Sequence, residues 1–239
     1  FVYHHLVLPY EPNIVEHFGN SGFISQGIST IDPPPMRIPG RGGKMLPNPY
    51  YINKDRLAHY ITKSHQYYCA TLSELVLQVK QSRENLVKRA AARLNLFFDC
   101  VLIDEFQDFR EYDYEVIMAL AKLLNDVVLV GDYHQHSVSA TNNSGKPFKR
   151  GTGDVSYNEF VADLKKDGFE VDVTTLDKSR RCSVAVCQYV NEKLGINIAS
   201  CGVNEGSVIW ADKDAAALLE DQQIVKLVYK DATSYSFRA

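Results

Sequence analysis

The sequence predicts an α/β fold, a parallel sheet with crossover helices, incomplete within these residues and joined to a loop-rich region. Three observations carry that expectation. Two apolar runs, 97–103 and 127–130, each end in polar residues, as strands of a parallel sheet covered on both faces do. A helical pattern over about 112–124 lies between them, with Val116, Ile117, Leu120, Leu123 and Leu124 as its apolar positions. Strand and helix patterns then keep alternating towards the C-terminus.

Residues 1 to about 55 hold most of the prolines, including Pro33-Pro34-Pro35, with Gly40, Gly42 and Gly43 among them. Proline removes a backbone donor, so long helices or ladders are not expected there. Interspersed Phe18, Phe23, Ile24, Tyr50 and Tyr51 mark the stretch as packed rather than disordered. A helix is expected from about 71 to 96, with Leu72, Leu75, Val76 and Val79 on one face and Thr71 and Glu74 as a capping box. Lys80, Arg83, Lys88, Arg89 and Arg93 lie on its other side. Further on, helices are expected over about 156–166 and 183–194, the second ending at Gly195. Short strands are expected at 169–173, 207–210 and 224–229.

Composition narrows the function. With 26 Lys and Arg against 29 Asp and Glu, the net charge is −3. No whole-protein basic field exists, so any nucleic-acid contact must come from local patches. The five cysteines, Cys69, Cys100, Cys182, Cys187 and Cys201, are scattered with no metal spacing, which fits free thiols in a reducing, cytoplasmic setting. No apolar run reaches the roughly 18 residues that cross a bilayer. The start, Phe1-Val2-Tyr3-His4-His5, reads as a chain that begins mid-protein.

The chemistry concentrates at strand ends. Val101-Leu102-Ile103 runs into Asp104-Glu105-Phe106-Gln107-Asp108. Open α/β sheets bind ligands at that edge. Two adjacent carboxylates there suit one carboxylate on Mg²⁺ and the next polarising a water. The second strand ends in Gly131-Asp132-Tyr133-His134-Gln135, where Gly131 permits a tight turn and Gln135 can meet a phosphate oxygen. A third string, Leu176-Asp177-Lys178-Ser179-Arg180-Arg181-Cys182, offers arginines that can stabilise charge on a transferring phosphate. Each string alone has a plainer reading as an acidic turn, a Gly-Asp turn or a surface Arg pair.

Together, in this order and spacing, the strings resemble motifs II, III and IV of UvrD/Rep/PcrA-like superfamily 1 DNA helicases. Thr141-Asn142-Asn143-Ser144 is also similar to a bacterial branch of UvrD-helicase-domain proteins. The likeness covers roughly residues 97–195. It implies a P-loop NTPase (RecA-like) sheet, with ATP and Mg²⁺ as cofactors and single-stranded DNA as partner. It implies Asp104 as the Mg²⁺ carboxylate, Glu105 as general base and Gln107 and Asp108 as couplers of nucleotide to the facing domain. Gly131 and Asp132 would lie at the nucleotide, Gln135 would sense the γ-phosphate, and Arg181 would be the arginine finger. Arg180 stands where the family carries Tyr.

Two departures follow. His136 to Ala140 lacks the aromatic residues with which the family stacks DNA bases beyond motif III. No Gly-x-x-x-x-Gly-Lys-Ser/Thr phosphate loop (Walker A) occurs; Gly40-Arg41-Gly42-Gly43-Lys44 comes nearest but runs into Met45. Motifs V and VI are missing too. In the segment after motif III, Thr141, Asn142, Lys146, Phe148, Lys149 and Arg150 are expected to contact DNA, with Phe148 as a stacking face in place of the missing motif III aromatics.

The expected organisation is an inserted 1B-type region at 1–70, the later part of a first RecA-like domain at 71–175, and the start of a second at 176–239. The expected function is the motif II–IV portion of an ATP-dependent single-stranded DNA translocase or helicase. The rival is a helicase-like module without nucleotide binding that acts as a DNA- or protein-binding partner.

Overall fold

The computed structural model describes residues 1–81, 84–136, 145–208, 228–230 and 235–237. The chain divides into two compact units, Phe1–Phe169 and Glu170–Ala239.

The first unit is mixed α/β. Its N-terminus is helical rather than irregular: turns at Val2–Val7 and Leu8–Tyr10 lead into α1, Glu11–His17, with Pro12 in its first turn, where a missing N–H costs nothing. Leu6, Val7 and Ile14 are fully buried and share one core with Leu75, Ala90, Leu94 and Val116. Short strands β1, Ile28–Ser29, and β4, Tyr67–Tyr68, pair in parallel. Between them β2, Arg37–Pro39, and β3, Met45–Pro47, form an antiparallel hairpin. Residues 40–44 are the turn of that hairpin, with Gly42 at φ 75°. No helix follows them, so no helix N-terminus stands ready for a phosphate.

The helix expected over 71–96 is two. α2, Leu72–Gln78, stops at the buried, extended Val79 (φ −74°, ψ 115°). Strands β5, Lys80–Gln81, and β6, Glu84–Asn85, pair antiparallel. Asn85 then accepts a hydrogen bond from the Lys88 N–H at 2.9 Å and starts α3, Leu86–Phe97. The expected Thr71–Glu74 capping box does not form, because Glu74 turns into the protein and the Thr71 hydroxyl donates to the Tyr68 carbonyl. Of the basic residues expected on the outer face, Arg89 and Arg93 lie over the Tyr10 and Phe97 rings; Arg83 falls outside the described residues.

The predicted strand–helix–strand is present. β7, Val101–Ile103, and β8, Val127–Leu129, pair in parallel, with α4, Glu111–Ala121, as the crossover. Their burial departs from expectation: Leu102 is 73% and Val128 41% exposed, so one face of this pair is bare within the unit. β9, Lys149–Arg150, and β10, Gly153–Asp154, form a hairpin before α5, Tyr157–Lys166. Ser156 and Glu159 close a capping box on α5, and the Ser156 hydrogen bond holds the Glu159 carboxyl below its usual range.

The strand expected at 169–173 is absent. The Asp172 carboxylate instead accepts from the Thr174 and Thr175 N–H groups, a local turn that competes with a ladder. In the second unit, β11, Lys178–Ser179, pairs in parallel with β12, Ala199–Ser200. α6, Val184–Leu194, is capped by Ser183 and ends at Gly195 in the left-handed region. β13, Val228–Lys230, and β14, Tyr235–Phe237, pair antiparallel. Residues 209–227, which include parts of the last two expected strands, lie outside the described residues.

Candidate functional site

The site begins where β7 ends. Glu105 takes the left-handed conformation (φ 52°), uncommon for a residue with a Cβ, and turns the chain sharply off the strand. The Asp104 Oδ1 accepts the Glu105 N–H at 2.9 Å. Both carboxylates are exposed. The Phe106 N–H then bonds the Val130 carbonyl at 2.9 Å, carrying the β7–β8 pairing one step past the strands.

Gln107 joins the two strand ends. Its side chain is buried at 4% exposure. Its Nε2 donates to Glu105 Oε2 at 2.6 Å, and its Oε1 accepts the Asp132 N–H at 3.0 Å. Gly131 makes this approach possible: a Cβ there would lie 2.7 Å from Gln107 Oε1 and 3.1 Å from the Phe106 nitrogen. On the other strand end, Asp132 accepts from the His134 N–H at 2.9 Å and from Gln135 Nε2 at 2.8 Å. Asp104, Glu105, Gln107, Gly131, Asp132 and Gln135 are thus gathered on one edge by a chain of short hydrogen bonds. Asp108 is exposed at the end of the same short helical turn.

Such an edge presents exposed carboxylates and an exposed amide together, a hard-oxygen donor set. No cluster of three or more His, Cys, Asp or Glu side chains able to hold a metal occurs among the described residues. The donors fit an ion that takes one or two carboxylates and completes its shell with phosphate and water, the habit of Mg²⁺.

Beneath the edge lies an aromatic cluster that sequence reasoning missed. Tyr133, from the Gly-Asp-Tyr-His-Gln string, packs its ring 5.9 Å from Phe148 and 5.5 Å from Phe160, and donates its hydroxyl to the Val155 carbonyl at 2.5 Å. Burial pushes its phenol pKa up. Three aromatic residues spaced along 133–160 were the available signal.

This cluster overturns one expectation. Phe148 is 1% exposed, stacked flat on His136 at 4.3 Å and on Phe160 at 5.4 Å. It is a core ring with no face for a base, because apolar area gains more from that packing than from solvent. The basic residues beside it are already engaged: Lys146 faces Glu115, Lys149 faces Asp154, and Arg150 faces Glu159 and Asp163. Thr141 and Asn142 lie outside the described residues.

Arg181 belongs to the second unit. It is exposed, as is Arg180. Ser179 Oγ accepts the Arg181 N–H at 3.2 Å, and Asn204 Nδ2 donates to both arginine carbonyls, at 2.9 and 2.8 Å. The backbone carrying the arginines is therefore fixed while the Arg181 guanidinium stays in solvent.

A second polar group lies away from the strand ends. Glu74, buried to 5% exposure, is ion-paired with Lys54, and His59 Nε2 lies 3.5 Å from its other oxygen. Lys54 also donates to the Tyr112 hydroxyl at 3.1 Å.

No helix among the described residues is long and apolar enough to cross a membrane. No curated protein matches the chain. Residues 48–137, which carry both strand ends, match the family model of the UvrD/REP helicase N-terminal domain, and this match supports a UvrD-like helicase fragment.

Proposed function

We propose that the chain is the motif II–IV portion of an ATP-dependent single-stranded DNA translocase or helicase. One observation carries the reading: the buried Gln107 side chain ties Glu105 to Asp132, so the two acidic strand ends move as one piece. A unit that couples hydrolysis to motion needs its base and its phosphate-sensing strand locked together.

In this reading Asp104 holds Mg²⁺, which neutralises charge on the β- and γ-phosphates. Glu105 takes the proton of the attacking water, held in place by Gln107 Nε2. Gln135, oriented by Asp132, meets the γ-phosphate, and Asp108 faces the partner domain. Arg181 is the arginine finger. Residues 71–175 are the later part of a first RecA-like domain, residues 1–70 an insertion of 1B type, and residues 176–239 the start of a second RecA-like domain. The bare face at Leu102 and Val128 supports this, since in a complete parallel sheet crossover helices would pack over that apolar area. Lys146, Lys149 and Arg150 reach DNA in this reading by exchanging carboxylate partners for phosphates.

The test is ATP hydrolysis, with and without single-stranded DNA, by the protein carrying this segment. Glu105→Gln keeps an acceptor for Gln107 but removes the base. Hydrolysis should fall by about 10²–10⁴-fold with nucleotide binding retained. Turnover at the wild-type rate would remove Glu105 from the role and leave the rival reading of a non-catalytic binding module.

A further inference from the structure

The cations of this chain are not evenly placed. Between Glu16 and Glu74 it carries six Lys or Arg residues and only two carboxylates, Asp32 and Asp55, although the whole chain is at −3. Lys54 is committed to Glu74. The other five, Arg37, Arg41, Lys44, Arg56 and Lys63, are all exposed, and among the described residues none of them has an ion-pair partner. This contrasts with Lys146, Lys149 and Arg150, each of which faces a carboxylate. Arg37, Arg41 and Lys44 sit on or in the turn of the β2–β3 hairpin.

A groove of about 680 Å³ lies at the base of that hairpin, within the size of small-ligand clefts. Pro34 and Pro49, which bracket the hairpin, form part of its wall. Asn48 anchors the base, donating its side-chain amide to the Pro35 carbonyl at 2.8 Å and its backbone N–H to the Met36 carbonyl at 3.0 Å. The rest of the wall includes Tyr50, Tyr51, Tyr68 and Lys63. Tyr50 is 78% exposed, so its ring is open to solvent. Tyr51 is held edge-on against the buried His59, whose Nδ1 is bonded to the Ile52 carbonyl. The groove floor is therefore fixed.

We propose that this hairpin and groove bind single-stranded nucleic acid: unpaired bases stack on Tyr50 and its neighbouring tyrosines, and the phosphates run along Arg37, Arg41, Lys44 and Lys63. Cations without an ion-pair partner among the described residues, beside the exposed Tyr50 and the half-buried Tyr51 and Tyr68, match the two chemical parts of a single strand, charge along the backbone and π-faces on the bases. A duplex hides its base faces, and an acidic peptide offers nothing for the rings. The proposal rests on the nucleic-acid part of the reading above and not on its hydrolytic part.

The experiment measures anisotropy of a fluorescein-labelled oligothymidylate against the full chain over a salt series. The triple variant Arg37→Ala, Arg41→Ala, Lys44→Ala should weaken binding and flatten the log–log salt slope by about 2, at roughly 0.7 per phosphate contact. Tyr50→Ala should weaken binding roughly tenfold with the slope unchanged, and Tyr50→Trp should restore it. All four side chains are exposed, and a thermal melt of each variant checks that the fold is kept. A labelled duplex should bind more weakly and be indifferent to Tyr50→Ala. The proposal is overturned if the wild-type chain does not bind at low salt. It is also overturned if the variants leave affinity and slope unchanged, or if polyglutamate displaces the strand as well as unlabelled oligothymidylate does. ATP hydrolysis is scored separately through Glu105→Gln. Loss of strand binding in the hairpin variants, in a protein without Glu105-dependent turnover, would sink the hydrolytic reading and keep this one.

Discussion

The Gln107 side-chain oxygen accepts the Asp132 backbone N–H at 3.0 Å, and this bond fastens the end of β8 to the turn after β7. It exists because Gly131 has no side chain: an added Cβ would come within 2.7 Å of that same oxygen. Gly131→Ala should therefore push Gln107 off Asp132 and cost about 1–3 kcal/mol of stability, the range of an overpacked site. Gly153→Ala is the control, since its Cβ would meet only the Arg150 carbonyl at 3.7 Å. Urea denaturation of the two variants checks this. Equal midpoints would show that the strand ends can part without cost.

Arg181→Ala should lower kcat of the ATP-hydrolysing protein much more than it raises KM, because a finger acts on charge that develops in the transition state. Arg180→Ala should be the milder change: both arginines are exposed, and Arg180 stands at the position where the resembled motif carries Tyr rather than the finger arginine. Steady-state kinetics of both variants rank them. The opposite order would move the finger one residue back.

Glu74→Gln should destabilise the first unit by about 1–3 kcal/mol. Removing the partner of a buried ion costs more, but the Lys54 side chain is 42% exposed and can regain water. The pH dependence has a definite sign. Contact with the Glu74 carboxylate raises the Lys54 pKa above its ordinary 10.5. A cation with a raised folded-state pKa contributes stability that is fully present below pH 10.5 and is lost as pH climbs through the folded value. Wild-type Tm should thus fall above pH 10.5, and the Glu74→Gln variant should show a flatter alkaline limb. Parallel alkaline limbs would contradict the pairing.

Phe148→Ala should cost about 3–5 kcal/mol of folding stability, since a fully buried ring leaves a cavity among His136, Phe160 and Tyr133. Strand affinity of the folded protein should be unchanged. A variant that melts like wild type but loses strand binding would return Phe148 to the surface.

The 239 residues hold no Gly-x-x-x-x-Gly-Lys-Ser/Thr, and the one look-alike is a hairpin turn. Calorimetric titration of this chain with Mg·ATP should give no submillimolar affinity, because the backbone cradle for the β- and γ-phosphates is lacking. Tighter binding would place a phosphate site elsewhere in these residues.

What the sequence determined by itself is local. The β7–α4–β8 unit, the helices that begin near Ser156 and Ser183 and the Gly195 helix end all follow from windows of a few residues, where period and backbone donors leave little choice. The acidic strand ends were legible for the same reason: an apolar strand that stops at Asp104 or Asp132 must expose what comes next. Only the tertiary structure decided which side chains face one another. It turned Glu74 from an expected cap into a buried anion, drew Phe148 out of an expected DNA loop into an aromatic core, and folded residues 1–17 onto α2 and α3. It also gave Lys146, Lys149 and Arg150 carboxylate partners and, among the described residues, left the hairpin cations without them. Burial and ion pairing depend on what arrives from distant parts of the chain, and a short window of sequence holds no record of that neighbour.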